Sequence, residues 1–220
     1  NERSKYIYMV NFDSDYTAAN AGTAMTPGTQ KTYISGLTTP VHYDFDSGAN
    51  SAALGTTEIA SGHDLFEDEE AVEVDFLIAP GMSTRSDQTT VTNDLVANAI
   101  ARKDCIAVSS PARSDVVGVT NEATATTNVV ATAATFTKSS YLVMDGNYLK
   151  VYDKFNDQYI QIPAASSTAG IMAATDRNAA AWFSPAGGRR GQYLGITAID
   201  YQPTKSQRDT LYKASVNPIA

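Results

Sequence analysis

The chain has 220 residues and a formal net charge of −8, with 43% hydrophobic and 18% charged residues. This composition predicts a folded protein with a sizeable core, and its acidity argues against a nucleic-acid groove, which needs clustered basic residues. No stretch is long and apolar enough to span a bilayer. The single cysteine, Cys105, lies in an apolar run, so we expect a buried, inert thiol and no intrachain disulfide.

Residues 1–55 are rich in Thr, Gly, Asn, Asp and Tyr and predict part of a β-rich domain. Strands are predicted at residues 5–10 and 31–34, with a long surface loop between them. The first ten residues begin in the middle of a predicted strand, and the last ten lack a terminating signal. We therefore expect an internal fragment of a longer protein.

From residue 56 onward the pattern is that of an α/β domain. Residues 71–79 and 105–109 are apolar runs that predict buried strands. Between them, residues 88–102 predict a helix, because five apolar residues recur at helical spacing: Val91, Leu95, Val96, Ala99 and Ile100. Strand, helix and strand in succession predict a right-handed βαβ unit in a parallel sheet.

The next segments predict a helix and then a hairpin. Residues 119–137 are almost all Ala, Thr and Val, and four apolar residues recur about one turn apart: Ala125, Val129, Ala133 and Phe136. A helix is favoured there, with a low-complexity loop as the alternative. Asp145 and Gly146 separate two alternating runs, which predicts a tight β-hairpin. Residues 156–163 predict a further strand.

The last third predicts two helices separated by a strand at residues 193–201. The first helix covers residues 166–182 and is capped by Ser166 or Ser167. The second is capped by Thr204 or Ser206 and directs Leu211 and Tyr212 inward. The fold class is therefore α/β (α+β): a core domain over residues 56–220 with a mixed sheet and flanking helices.

Few residues are arranged for catalysis or metal binding. Four consecutive carboxylates, Glu67, Asp68, Glu69 and Glu70, cannot converge from one face of an element, so they predict a solvated turn. The two histidines, His42 and His63, have no neighbouring ligand partners in the sequence. We expect no enzyme activity, no cofactor and no metal.

Two segments remain as candidates for anion binding. The loop after Ala79, with Arg85, lies where α/β sheets bind ligands, and it keeps open an alternative as an enzyme or a small-molecule or phosphate-binding domain. The second segment, residues 187–191, carries Arg189 and Arg190 between glycines. The preceding helix presents its electronegative end there, which disfavours a phosphate. A sharp chain reversal, with the arginines directed to carboxylates of a neighbour, is the favoured interpretation.

Two segments near the end of the chain follow a recognisable pattern. Residues 162–188 read IPAASSTAGIMAATDRNAAAWFSPAGG, and residues 206–219 read SQRDTLYKASVNPI. They resemble the motifs VPxSG…AGxxARTD…GVWKAPAG and RDxLNxAGINPI of the contractile tail sheath proteins of bacteriophages and related injection machines. Ala174 stands where the family has arginine, so no salt bridge is carried over there, and Ser184 replaces an alanine. The whole chain is similar to the T-even type.

The resemblance implies a structural role in the virion. Sheath subunits, made in the host cytoplasm, form helical rings around a tail tube and contract to drive it through the host envelope during DNA injection. The implied partners are other sheath subunits, the tube protein, and the baseplate and terminator proteins, without direct nucleic-acid binding or membrane insertion. Residues 1–55 then belong to a barrel-like outer domain, and residues 56–220 to the core, truncated before a C-terminal domain and arm. Without terminal arms, the fragment is expected to be monomeric.

The resemblance also gives roles to the remaining side chains. The carboxylates of residues 67–70 and the cations Arg189 and Arg190 are expected at contacts between rings, where each exposed ion pair contributes little. Trp182 with Phe183 is expected to anchor the helix of residues 166–181 in the core.

Overall fold

Two small sheets organise residues 54–220, the part of the chain that the computed structural model describes. The helices are α1 (Thr56–Asp64), α2 (Arg85–Arg102), α3 (Arg113–Val116), α4 (Glu122–Ala133), α5 (Ala165–Asn178), α6 (Gly187–Arg190) and α7 (Lys205–Lys213). The strands are β1 (Phe76–Ile78), β2 (Ile106–Ser109), β3 (Leu142–Met144), β4 (Tyr148–Asp153), β5 (Gln158–Pro163) and β6 (Ala198–Ile199). The strands predicted at residues 5–10 and 31–34, and the β-rich domain around them, lie outside the described residues.

The first sheet is parallel throughout, in the order β1-β2-β3, and it contains the predicted βαβ unit. Helix α2 connects β1 to β2, and its N-cap Thr84 accepts a hydrogen bond from the Asp87 amide. It ends at Arg102, and the C-cap residue Lys103 adopts a left-handed conformation with φ of 65°. Four of the five predicted core residues of α2 are buried, whereas Ile100 is exposed.

Helices α2 and α5 cover opposite faces of this parallel sheet. Leu77 and Ala107 pack with residues of α2, including Leu95. Val108 points to the other face and packs with Ala165 and Ala169 of α5. Because strand side chains alternate between the faces, these contacts define three layers, with the sheet between two helices.

The second sheet is antiparallel, in the order β5-β4-β6. The single mixed sheet expected from the sequence is therefore wrong, because the parallel and antiparallel pairings fall in separate sheets. β4 and β5 form a hairpin in which Tyr148 pairs with Pro163 and Asp153 with Gln158. The strand predicted over residues 193–201 is reduced to two residues, which pair with Leu149 and Lys150.

The predicted hairpin at Asp145 and Gly146 is also wrong. β3 before this dipeptide pairs with β2 of the parallel sheet, whereas β4 after it pairs with β5 and β6. The dipeptide thus carries the chain from one sheet to the other. Its glycine serves close packing: a Cβ there would lie 3.0 Å from Cγ1 of Val216.

Helix α4 confirms the helical interpretation of the Thr-rich segment. Asn121 caps it by accepting hydrogen bonds from the amides of Ala123 and Thr124. All four periodic residues of this segment are buried in a cluster that also contains Met144, Tyr148, Tyr201, Leu211 and Val216. Thr side chains on the helix donate back to backbone carbonyls one turn earlier, as Thr126 does to Glu122. The buried apolar stripe thus outweighs the low helix propensity of threonine.

Helix α5 differs from its predicted limits at both ends, and this moves Trp182 out of the core. The helix begins at Ala165, whose amide donates to the Ser110 hydroxyl 3.0 Å away, so a tertiary contact rather than a serine cap sets its start. It ends at Asn178, because Ala179 leaves the helical conformation. Trp182 is consequently 82% exposed. The expectation that it anchors the helix in the core is wrong.

Helix α7 begins after its predicted cap, Thr204, whose amide donates a hydrogen bond to Oε1 of Gln207 at 2.7 Å. Of the two residues expected to face inward, Leu211 is fully buried and Tyr212 is 77% exposed. The two neighbours therefore provide a matched pair for a stability test.

Replacing Leu211 with alanine should destabilise the chain by about 2–5 kcal/mol, because it leaves a cavity in the cluster beneath α4. Replacing Tyr212 with alanine should change the free energy of unfolding by less than about 0.5 kcal/mol. Urea unfolding followed by circular dichroism measures both. Equal effects of the two substitutions would contradict this packing.

Candidate functional site

The carboxyl end of the parallel sheet, where α/β folds bind ligands, is filled by the chain's own polar side chains. Gln88, fully buried in α2, accepts from the Met82 amide at 2.7 Å and donates to the Pro80 carbonyl at 3.1 Å. It also donates to Thr92, whose hydroxyl lies 2.8 Å from that of Ser109 at the end of β2. These groups satisfy one another, so the edge is a rigid internal contact.

The loop after Ala79 is equally occupied. A Cβ at Gly81 would lie 2.9 Å from the Tyr148 hydroxyl, so this backbone packs directly on β4. Arg85, the cation on which the anion-binding alternative depends, is paired with Asp115 at 2.6 Å and donates to the Thr132 hydroxyl at 3.0 Å. An anion would have to displace a buried carboxylate. The geometry therefore gives no support to a phosphate site at this loop.

Residues 145–147 and 217–219 form a clamp that the sequence analysis did not identify. The Gly146 amide donates to the Asn217 carbonyl at 3.1 Å, and the Asn217 amide donates to Met144 at 2.8 Å. This adds Asn217 to the parallel sheet beside Asp145. The Asn147 side chain donates to the Tyr201 carbonyl at 2.8 Å. We call this arrangement the DGN clamp. It fixes residues 215–219, the SVNPI motif, onto the junction between the two sheets.

The clamp contains a buried carboxyl group. Oδ1 of Asp145 accepts from the Asn217 side chain at 3.3 Å, whereas its Oδ2 has no hydrogen-bond partner among the described residues. Burial raises the pKa of Asp145 to about 6, and the hydrogen bond from Asn217 opposes this only in part. The ionised carboxylate therefore weakens the clamp at neutral pH.

The acidic run is exposed, as expected, and lies in a loop that the end of α2 holds in place. Arg102, whose side chain is buried, donates to the carbonyls of Phe66 at 2.8 Å, Asp68 at 3.2 Å and Val72 at 2.9 Å. Its guanidinium also pairs with Asp104 at 2.7 Å. All four carboxylates, those of Glu67, Asp68, Glu69 and Glu70, belong to exposed residues. The backbone is thus fixed while the charges face outward.

The glycine–arginine segment forms the short helix α6 followed by a reversal. Gly187 has φ of 83°, a conformation that favours glycine, and a Cβ at Gly191 would meet Ala186 at 3.0 Å. The Arg190 guanidinium lies 4.2 Å from the Phe183 ring centroid, and the Phe183 and Trp182 rings are 5.0 Å apart. Arg190 and Phe183, which is half-buried, therefore form an outer patch with Trp182. Arg189 lies in the same helix.

Cys105 and His63 take part in packing and in contacts between helices. Cys105 is buried, and desolvation raises its thiol pKa. His63 binds Asp94 at 2.9 Å and links α1 to α2. Within residues 54–220, no group of three His, Cys, Asp or Glu side chains forms a set of metal ligands. None of the helices in this range combines the length and apolarity needed to cross a bilayer.

Comparison with known proteins identifies the family. The profile described as "Phage tail sheath protein central domain" matches residues 52–220. The chain belongs to the phage tail sheath protein family. It is 34% identical over 181 residues to the tail sheath protein of Enterobacteria phage T4, and 31% identical over 195 residues to that of Vibrio phage KVP40. These alignments cover 78% and 80% of the chain but only 28% of each relative.

A solved structure supports the fold. The anti-feeding prophage helical sheath in its contracted state matches with a TM-score of 0.52 and 18% identity. The match covers 82% of this chain and 41% of that one. The resemblance seen in the two motifs is confirmed, and both motifs lie at structural junctions: one forms α5 and the segment after it, the other α7 and the DGN clamp.

Replacing Asp145 with asparagine should stabilise the chain at pH 8 and flatten its pH profile. The pKa of Asp145 in the folded chain lies above its usual value of 3.8, because burial disfavours the charged form. The carboxyl group therefore contributes most to the free energy of unfolding below pH 4, and this contribution is lost as the pH rises to about 6. The difference between the two pKa values corresponds to at most about 3 kcal/mol of folding free energy.

Thermal unfolding from pH 4 to pH 8 measures this effect. The variant should melt at a higher temperature than the wild type at pH 8, with the gap closing towards pH 4. Asp209→Asn, at an exposed position on α7, is the matched control. A variant that melts lower at pH 8 would show that the ionised carboxylate is needed in the clamp.

Proposed function

We propose that the chain forms the central part of a contractile tail sheath subunit. The complete subunit polymerises helically around the tail tube and contracts to drive it through the host envelope during DNA injection. The family match over residues 52–220 carries this proposal, and the T4 relative, 34% identical, supports it.

Contraction of the sheath requires no nucleotide, cofactor or metal. A sheath stores free energy in subunit packing, and the contracted lattice is the more stable arrangement of two. Each subunit must therefore transmit force without deforming. The DGN clamp and the closed carboxyl edge of the parallel sheet suit this rigid-body role, and they leave no catalytic arrangement at the place where an enzyme of this class would have one.

The partners follow from this assembly: other sheath subunits, the tube protein, and the baseplate and terminator proteins. The subunit acts in the virion after synthesis in the host cytoplasm, without direct contact with nucleic acid and without membrane insertion. Residues 1–55 belong to a β-rich, barrel-like domain on the outer surface, and residues 56–220 to the core.

Electron microscopy of the complete subunit tests the proposed function. Helical tubes are expected, with the 220-residue chain alone giving single particles. Dispersed particles from the complete subunit, in the presence of tail tube, would overturn the sheath assignment. In that case a thermal-shift screen of the protein with nucleotides and phosphosugars tests the alternative, a small-molecule-binding domain that uses the loop after Ala79.

Reversing both charges of Arg189 and Arg190 should abolish tube formation by the complete subunit. We assign these two cations, with the carboxylates of residues 67–70, to contacts between rings. Each exposed pair contributes about 0–1 kcal/mol, but the same contact is repeated in every subunit of the lattice. Replacing both arginines with lysine keeps the charge and should preserve assembly. Unchanged assembly and contraction in the glutamate variant, seen by electron microscopy, would remove the arginines from the interface.

A further inference from the structure

Two exposed surfaces of the chain are complementary in both charge and apolarity. The first is the aromatic–arginine patch, formed by Trp182, Phe183 and Arg190. The second is the acidic loop, residues 65–70, in which Leu65 is 74% exposed and Phe66 39% exposed, next to four exposed carboxylates. One surface offers an aromatic side chain and a cation, and the other offers apolar side chains and anions.

The two surfaces lie on elements that cover opposite faces of the parallel sheet. The acidic loop follows α1, which packs against α2, and Arg102 at the end of α2 holds it. The aromatic–arginine patch follows α5, which packs on the other face. Among the side chains that the structure describes, no ion pair joins Arg190 to a carboxylate of the acidic loop.

We propose that the aromatic–arginine patch of one copy docks on the acidic loop of the next copy. This inference rests on the proposed function and names the partner of its charged surfaces. Two different patches of one subunit make a head-to-tail contact, which propagates into a ring or an open helix instead of closing into a dimer. A helical sheath requires this kind of contact.

The chemistry of the two surfaces matches that of a specific interface. Tryptophan and arginine are enriched among the residues that dominate binding free energy. Trp182 contacts the apolar pair Leu65 and Phe66, while Arg190, already held over the Phe183 ring, reaches the carboxylates. Both partners are preorganised, because Arg102 fixes the backbone of the acidic loop through the Phe66 and Asp68 carbonyls.

Cysteine cross-linking in tubes of the complete subunit tests this pairing. The variant carrying both Trp182→Cys and Leu65→Cys should form disulfide-linked ladders of many subunits on mild oxidation. Each single variant should give no ladder when any cysteine of the complete subunit outside these 220 residues is replaced with serine, because Cys105 is buried. Phe155→Cys with Leu65→Cys is the matched control, since Phe155 is also highly exposed but lies at the β4–β5 turn.

The outcomes separate this inference from the proposed function. Tubes with a ladder from the Trp182–Leu65 variant and none from the control support the pairing. Tubes without a ladder, or with equal ladders from both variants, overturn it and leave the sheath assignment intact. Absence of tubes from the wild-type subunit overturns the sheath assignment itself.

A charge exchange covers the case in which the cysteine variant does not assemble. Arg190→Glu should reduce the yield of tubes at least tenfold, and adding Glu67→Lys and Glu69→Lys to the same chain should restore it. Failure of restoration, with each variant folded by circular dichroism, also overturns the pairing.

Discussion

The structure depends on the DGN clamp, in which a three-residue crossover between two sheets is held by the last motif of the chain. The amides of Gly146 and Asn217 exchange hydrogen bonds with neighbouring carbonyls, and Asn147 binds the carbonyl of Tyr201. Besides these bonds, the parallel and antiparallel sheets are joined by the covalent chain, by side-chain packing and by hydrogen bonds such as that from the Tyr148 hydroxyl to the Pro111 carbonyl. The close approach of Val216 explains why the crossover contains a glycine. A carboxyl group is buried at this place despite the cost of its charge, which makes the clamp sensitive to pH.

This arrangement suits a mechanical role better than a catalytic one. Enzymes of doubly wound folds keep the carboxyl ends of their strands open, whereas here Gln88, Thr92 and Ser109 close that edge with mutual hydrogen bonds. Arg85 and Arg102 are paired with Asp115 and Asp104, and the carboxylates of residues 67–70 face outward. In the proposed sheath, a subunit of this kind moves as one body, and its outward charges and aromatic side chains meet other subunits.

Much of the fold could be predicted from the sequence where local pattern and tertiary packing agree. The helical spacing of apolar residues located α2 and α4, and the cap at Thr204 located α7. Prediction failed where a distant partner decides the structure. The Asp145–Gly146 pair is a strong local hairpin signal, but β2 and Asn217 take its flanking residues into another sheet. Trp182 was expected in the core because the helix was predicted to run to residue 182, whereas it ends at Asn178 and leaves the indole exposed.

The aromatic–arginine patch and the acidic loop could be predicted only in part, because their positions depend on tertiary packing. Consecutive carboxylates and paired arginines are visible in the sequence, and the turn at residues 67–70 followed from them. Their placement relative to opposite faces of the sheet depends on which helix covers which face. The positions of α2 and α5 in the described structure supply that information.

Hydrogen exchange of the amides of Gly146 and Asn217, measured in the assembled sheath before and after contraction, tests the central claim most directly. A rigid subunit locked by the DGN clamp predicts slow exchange at both amides, equal in the two states. Loss of protection at either amide in one state would show that the two sheets move relative to each other during contraction, and would contradict this account.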